Sequence, residues 1–215
     1  MIKKIKNDKT LLILSIIIVV VAILLVSRIA YAFLTMRVND VISKVHLNSD
    51  LVDELKFKIG NPLSLDITTN SLKEGEPAVM VSSTNQVTLK ANESDNQASY
   101  TYYVYIDIPE NTFEYTKNTD TPELLLKVTG PDGEVTSLSG LEYKTQNEIS
   151  GFDITTHQGL IEVAANFPIT SNSSMTNTIQ EWTFNLYYLN LDHDQSANYG
   201  NHIKTRIGLT KNQAK

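Results

Sequence analysis

The chain has 215 residues, 41% of them hydrophobic, with 18 Lys and Arg against 24 Asp and Glu, and beyond an N-terminal apolar run this leaves enough for one domain. From Phe33 onward the balance is 13 basic against 23 acidic residues, a formal charge of −10; so acidic a surface cannot displace phosphate counterions, which excludes nucleic acid as an expected partner. No cysteine is present, which excludes disulfides, thiol catalysis and Cys-ligated zinc, and an exported domain without disulfides points to a Gram-positive type of bacterium.

Residues 1–10 form a basic tail with Lys3, Lys4, Lys6 and Lys9, and Leu11 to Val26 is apolar apart from Ser15. As a helix this run spans about 24 Å, and continuing it to Phe33 covers the roughly 30 Å hydrocarbon core. Residues 11–33 are therefore expected to be a transmembrane helix or a signal peptide. Arg28 can snorkel to the far interface, where Tyr31 and Phe33 join the aromatic belt. The lysines hold the N-terminus in the cytoplasm and place the following domain outside the cell. Ala30-Tyr31-Ala32 also has the small-residue spacing of a signal-peptidase site, so Ala30, Ala32 and Phe33 mark a candidate cleavage point after Ala32. Uncut, the protein is a single-pass membrane protein; cut, it is secreted.

Residues 34–54 have two readings. Leu34, Val38, Val41, Ile42 and Val45 follow helical spacing and predict a short stalk helix. Read as extended chain instead, Val41, Val45 and Leu47 suit an N-terminal arm that adds to a neighbour's sheet. Asn48, Ser49 or Asp50 is available to cap a helical turn running through Leu55.

Over residues 55–215 the apolar period changes to two. Phe57 and Ile59, then Leu63, Leu65 and Ile67, alternate with polar residues around a break at Gly60-Asn61-Pro62. Val79 to Val81 and Val87 to Leu89 predict two strands around the polar Ser82-Ser83-Thr84-Asn85, and Ala91 to Ser99 reads as a loop. Tyr100 to Ile108 is the most strand-like stretch, with Tyr100, Tyr102, Val104, Ile106 and Ile108 on one face and Pro109 ending it. Leu124 to Val128 is a strand that turns at Gly130-Pro131-Asp132-Gly133 and returns through Val135. Phe152, Ile154, Leu160, Ile161 and Val163 flank a turn at His157-Gln158-Gly159. Trp182, Phe184, Leu186 and Tyr188 form a core strand with Trp182 at the core's centre, and His202 to Leu209 closes the sheet. Strands at this spacing predict a mainly β protein: one extracellular antiparallel Ig-like β-sandwich behind the N-terminal membrane segment.

Motifs for chemistry are sparse. The weak metal candidates are Asp192, His193, Asp194 and His202, since the two histidines bracket one loop with carboxylates between them. Asp192, Asp194, Ser196 and Asn198 alternate like the start of a calcium loop, but Ala197 and Ile203 stand where glycine and a bidentate glutamate belong. The preferred reading is structural: the Gln195 and Asn198 amides bond neighbouring backbone and hold a long loop in shape. No serine lies in a nucleophile motif. Lys56 or Lys58 with Asn185 could close an isopeptide bond, although an exposed lysine on a solvent face is the plainer reading. Tyr103 and Tyr105 share the face opposite the predicted core and form a candidate contact surface for sugar or protein.

Ala30-Tyr31-Ala32-Phe33, Leu55-Lys56-Phe57, Ile59-Gly60-Asn61-Pro62-Leu63, Pro122 to Leu126, Gly151 to Thr156 and Asp192 to Gly200 together resemble a widespread family of exported proteins of Bacillota. The resemblance implies a surface β-sandwich without an assigned activity. The signal exit alone resembles the camelysin and TasA-type matrix fibre proteins, although Phe33-Leu34 replaces their double Phe and no zinc motif accompanies it. The expectation is a non-enzymatic cell-surface protein, tethered in the membrane, for adhesion or protein–protein contact. It takes no cofactor, and its partner is a protein or cell-wall component. The alternative is a secreted fibre or biofilm-matrix subunit that self-assembles through its N-terminal arm.

Overall fold

The computed structural model describes residues 53–93 and 97–211. The basic tail, the membrane or signal segment and the stalk or arm up to residue 52 lie outside the described residues, as do Ala30, Ala32 and Phe33. The described part is mainly β, with eleven strands in two antiparallel sheets and one 3-10 turn at Ser196–Asn198. Among the described residues no helix is long and apolar enough to cross a membrane.

In chain order the strands are β1 (Glu54–Lys58), β2 (Ser64–Asp66), β3 (Ala78–Lys90), β4 (Ala98–Asn111), β5 (Leu124–Gly130), β6 (Gly133–Val135), β7 (Tyr143–Gln146), β8 (Ile149–Asp153), β9 (Gly159–Ser171), β10 (Thr178–Leu189) and β11 (His202–Thr210). The larger sheet runs β1-β3-β10-β5-β8-β7, with β6 also paired to β5, and the smaller runs β2-β11-β4-β9. Alternation builds one shared core. Val87, Leu89, Trp182, Phe184 and Leu186 from the larger sheet join Tyr102, Val104, Ile106 and Ile108 from β4 in a single buried cluster. The Trp182 indole N–H reaches across to donate to the Tyr102 hydroxyl at 2.9 Å, and its ring meets Phe167 of β9 edge-on at 5.1 Å.

Four local expectations change. Leu55 is paired strand rather than the end of a helical turn, since β1 opens at Glu54 opposite Lys90. Ser82 to Asn85 does not separate two strands: β3 runs unbroken through it, and Ser83 and Asn85 point inward. Their polarity is absorbed because Asn85 Oδ1 accepts from the Gly60 amide at 2.9 Å, where the chain crosses from β1 toward β2. That crossing needs glycine, since a Cβ at Gly60 would stand 2.5 Å from the Thr84 carbonyl oxygen. Pro109 does not end β4, which continues to Asn111 across an irregular register with β11 between Lys204 and Arg206; a bulge tolerates a residue with no N–H to donate. Finally, the short hairpin partner β7 carries no period-two signal and was not expected.

The β7–β8 hairpin turns on Asn147 and Glu148, both at positive φ (51° and 64°). A two-residue turn of this kind favours Asn-Gly, because a Cβ at the second position is strained. Glu148→Gly is expected to raise the unfolding free energy by about 0.5 kcal/mol, read as a higher midpoint in urea.

Registers place the chain's path in space. Asp53 immediately precedes β1 at one end of the sheets, where its carboxylate accepts from Asn92 N at 2.9 Å and from the Tyr100 hydroxyl at 3.0 Å. The loops at 67–77, 112–123, 154–158 and 190–201 gather at the opposite, far end.

Candidate functional site

The far end holds an open depression of about 530 Å³. Its walls come from the loop after β4 (Tyr115, Thr119, Asp120), the approach to β7 and its second residue (Gly140, Leu141, Glu142, Lys144), and the end of β8 with the turn that follows (Asp153, Thr156, His157, Gln158). At its base the Asp153 side chain, 4% exposed, accepts from Lys144 Nζ at 2.8 Å and from the Tyr115 hydroxyl at 3.1 Å. The other carboxylate oxygen takes the Thr155 amide and hydroxyl, at 3.1 and 2.7 Å. Lys144 also donates to the Thr119 carbonyl at 2.8 Å and lies 3.3 Å from a Glu142 oxygen. Burial opposes the lysine's charge, but the Asp153 and Glu142 carboxylates together outweigh it and hold the ammonium above its usual range. Burial, reinforced by the same carboxylate, pushes the Tyr115 hydroxyl up.

One wall is held by a single amide. Asn111 Nδ2 donates to the carbonyls of Ile154, Thr155 and His157 at 3.0, 3.1 and 3.0 Å, and Gln158 Nε2 donates back to the Asn111 carbonyl at 2.8 Å. The buried Nε2 of His157 has no hydrogen-bond partner, and burial lowers the imidazole's pKa. Folded His157 therefore binds its proton less readily than the unfolded chain does. Its contribution is whole above the unfolded pKa near 6.5 and falls as pH drops through it. Denaturant titrations at pH 7.5 and 5 are expected to show wild type losing stability over that interval, and His157→Gln losing less.

Beside the depression lies a second polar centre. Glu123 is 0% exposed, yet no Lys or Arg pairs with it among the described residues. Its carboxylate accepts from the Thr116 amide at 3.0 Å and, through short contacts, from the Thr116 hydroxyl and the Gln195 amide. His193 Nε2 lies 2.6 Å from the same Thr116 hydroxyl and 3.8 Å from Glu123. Burial, with the Glu123 charge adding to it, holds the neighbouring Tyr188 hydroxyl far above its ordinary range. An acid–base relay would need the carboxylate on the opposite ring nitrogen of the histidine. Here Glu123 and His193 Nε2 both meet the one Thr116 hydroxyl, which latches loop 190–201 onto loop 112–123.

The metal candidates are placed apart by this arrangement. His193 sits at the Glu123 latch, and His202 Nε2 lies 2.7 Å from Glu110 Oε1 on the sheet. Asp192 and Asp194 are exposed, with Asp194 accepting from the Ser196 amide at 2.9 Å. No group of three or more His, Asp or Glu is disposed to hold a metal among the described residues. The loop is held by its amides: Leu191 N donates to Gln195 Oε1 at 2.8 Å, and Asn198 exchanges bonds with Glu114 N and O at 3.1 and 3.0 Å.

Tyr103 and Tyr105 do share the outer face of β4, each half-buried. Tyr103 donates to Asn166 Oδ1 at 2.8 Å. The Tyr105 ring lies across Gly208 so closely that a Cβ there would stand 2.0 Å from it. Lys56 pairs with Glu54 at 2.5 Å, and β3 stands between β1 and the β10 strand that carries Asn185, so the isopeptide pair does not meet. Sequence reasoning missed Glu123, Lys144 and Asp153. Asp153-Ile154-Thr155 has the spacing of an Asp whose side chain bonds two residues on, the one local signal available.

Comparison with protein families, with curated proteins and with solved structures gives no match to this chain.

Proposed function

We propose that this is a non-enzymatic cell-surface protein, a membrane-tethered Ig-like β-sandwich that meets a protein or cell-wall partner through the loops at its far end. The observation that carries this reading is the chain's polarity. Asp53 joins the sheets at one end, following a basic-flanked apolar run long enough for a membrane, while the loops and the depression occupy the other. The acidic composition and the resemblance to exported Bacillota proteins agree with it. Because the chain lacks cysteine, a single introduced thiol reports its location without background. Thr119→Cys is expected to react with a membrane-impermeant maleimide in intact cells, and Lys4→Cys only after lysis. The reverse pattern would overturn the orientation, and with it the function.

A second reading, a secreted fibre subunit, is favoured by one edge strand. β1 guards its edge with Glu54, Lys56 and Lys58, and β2 is three residues long, whereas residues 159–164 of β9 present an edge with one charge, Glu162, and Leu160 47% exposed. Charged residues and shortness are the usual protection against strand addition. If this reading holds, the mature protein begins at Phe33 and forms filaments on concentration. A soluble monomer after cleavage would remove it.

A further inference from the structure

We infer that the far-end depression is a binding site for a neutral, hydroxyl-rich ligand, a short glycan, which specifies the partner of the surface reading proposed above and rests on it. The ligand class follows by elimination from the lining. Only Tyr115 and Leu141 offer sizeable apolar surface, so a hydrophobic ligand gains little there. An anion would face the Asp120 and Glu142 carboxylates, and the one ammonium in the wall, Lys144, is already committed to Asp153 and to the Thr119 carbonyl. A metal ion lacks a donor set, since no three His, Asp or Glu converge among the described residues.

What remains is a concavity rich in hydrogen-bond acceptors with a few hydroxyl donors. The Glu142 carboxylate is 79% exposed at its rim, and Gln158 spends its NH₂ on the Asn111 carbonyl, leaving its own carbonyl oxygen for a ligand. Sugar hydroxyls donate to such carboxylates and amide oxygens in charge-assisted bonds. The CH face of a sugar ring has Tyr115 and Leu141 to rest on. The wall is also pre-set, because Asn111 ties three backbone carbonyls of the 154–157 turn and the Lys144–Asp153 pair fixes the base. A site already in its binding geometry loses less freedom on capture.

The test uses the full chain in a sugar-free detergent, with saturation-transfer NMR reading chitotriose, cellotriose and maltotriose. Saturable binding of at least one of them is expected, with a Kd of about 0.1–1 mM and little change on raising salt. Glu142→Gln is expected to weaken it about fivefold, equivalent to one exposed charge-assisted bond. This change sits on an exposed side chain and leaves the fold intact, which the unchanged urea midpoint verifies. Failure of all three sugars to bind up to about 10 mM overturns the inference. So does salt-sensitive capture of a hexalysine peptide in their place, which would make the depression an acidic dock for basic segments. Either failure leaves the maleimide labelling untouched, so a wrong ligand and a wrong cellular location are told apart.

Discussion

Replacing Trp182 by Ala will lower the unfolding free energy by about 3–5 kcal/mol, a large part of the 5–15 kcal/mol on which a domain of this size rests. The residue is 2% exposed, joins the two sheets by two contacts and packs on its own sheet by a third. Its ring packs edge-on against Phe167 at 5.1 Å, its N–H bonds Tyr102 at 2.9 Å, and Gly130 of the neighbouring strand lies beneath it, where a Cβ would stand 2.6 Å from the indole. Tyr102 in turn donates to Gln180 Oε1 at 2.7 Å, and burial pushes its hydroxyl up to about 12. Trp182→Phe keeps an aromatic ring but removes the N–H that the Tyr102 hydroxyl accepts, and is expected to cost about 1–2 kcal/mol. Since this is the sole tryptophan, circular dichroism rather than fluorescence should follow both variants. A loss below about 1 kcal/mol for the alanine variant would show that the sheets do not depend on this contact.

Glu123→Ala is the second large effect, a loss of about 3 kcal/mol. Removing the carboxylate orphans the Thr116 amide and one of the two Gln195 N–H groups, the other still donating to the Leu189 carbonyl at 2.9 Å, and each orphaned donor costs about 1–3 kcal/mol. The damage is local in character. Hydrogen exchange at Leu191 and Glu114, whose bonding depends on the loop amides Gln195 and Asn198, should quicken more than exchange in β3 or β10. Glu123→Gln preserves volume but turns one acceptor into a donor facing donors, so an intermediate loss is expected. Uniform acceleration across both sheets would instead mean that Glu123 serves the global core.

The strands were legible in the sequence where burial on one side is strict. Tyr102, Val104, Ile106 and Ile108 alternate without exception, and the Gly130 to Gly133 turn announces its own hairpin. Legibility failed where an inward side chain is polar. Ser83 and Asn85 look like loop residues until Gly60, 25 residues away, brings its amide to Asn85. The site was hidden for the same reason on a larger scale. Glu123 meets Gln195 across 72 positions, and nothing near either residue anticipates the other. Lys144 and Asp153 are only nine apart, but the hairpin that joins them turns on Asn147-Glu148 rather than Asn-Gly, so its strongest sequence mark is missing. The histidines were visible as residue types, but which of them share a neighbourhood is decided by β11 leading His202 away toward Glu110.

The position of Asp53 also sets how the molecule would bear force. A pull transmitted through Asp53 while the far loops are held runs along β1, whose five residues from Glu54 to Lys58 pair in register with Lys90 to Gln86. Such a load shears the whole ladder at once instead of peeling it bond by bond. Survival under tension is then set by how slowly that short ladder slips, and lengthening β1 by two paired residues is a mechanical change that thermal melting would hardly register.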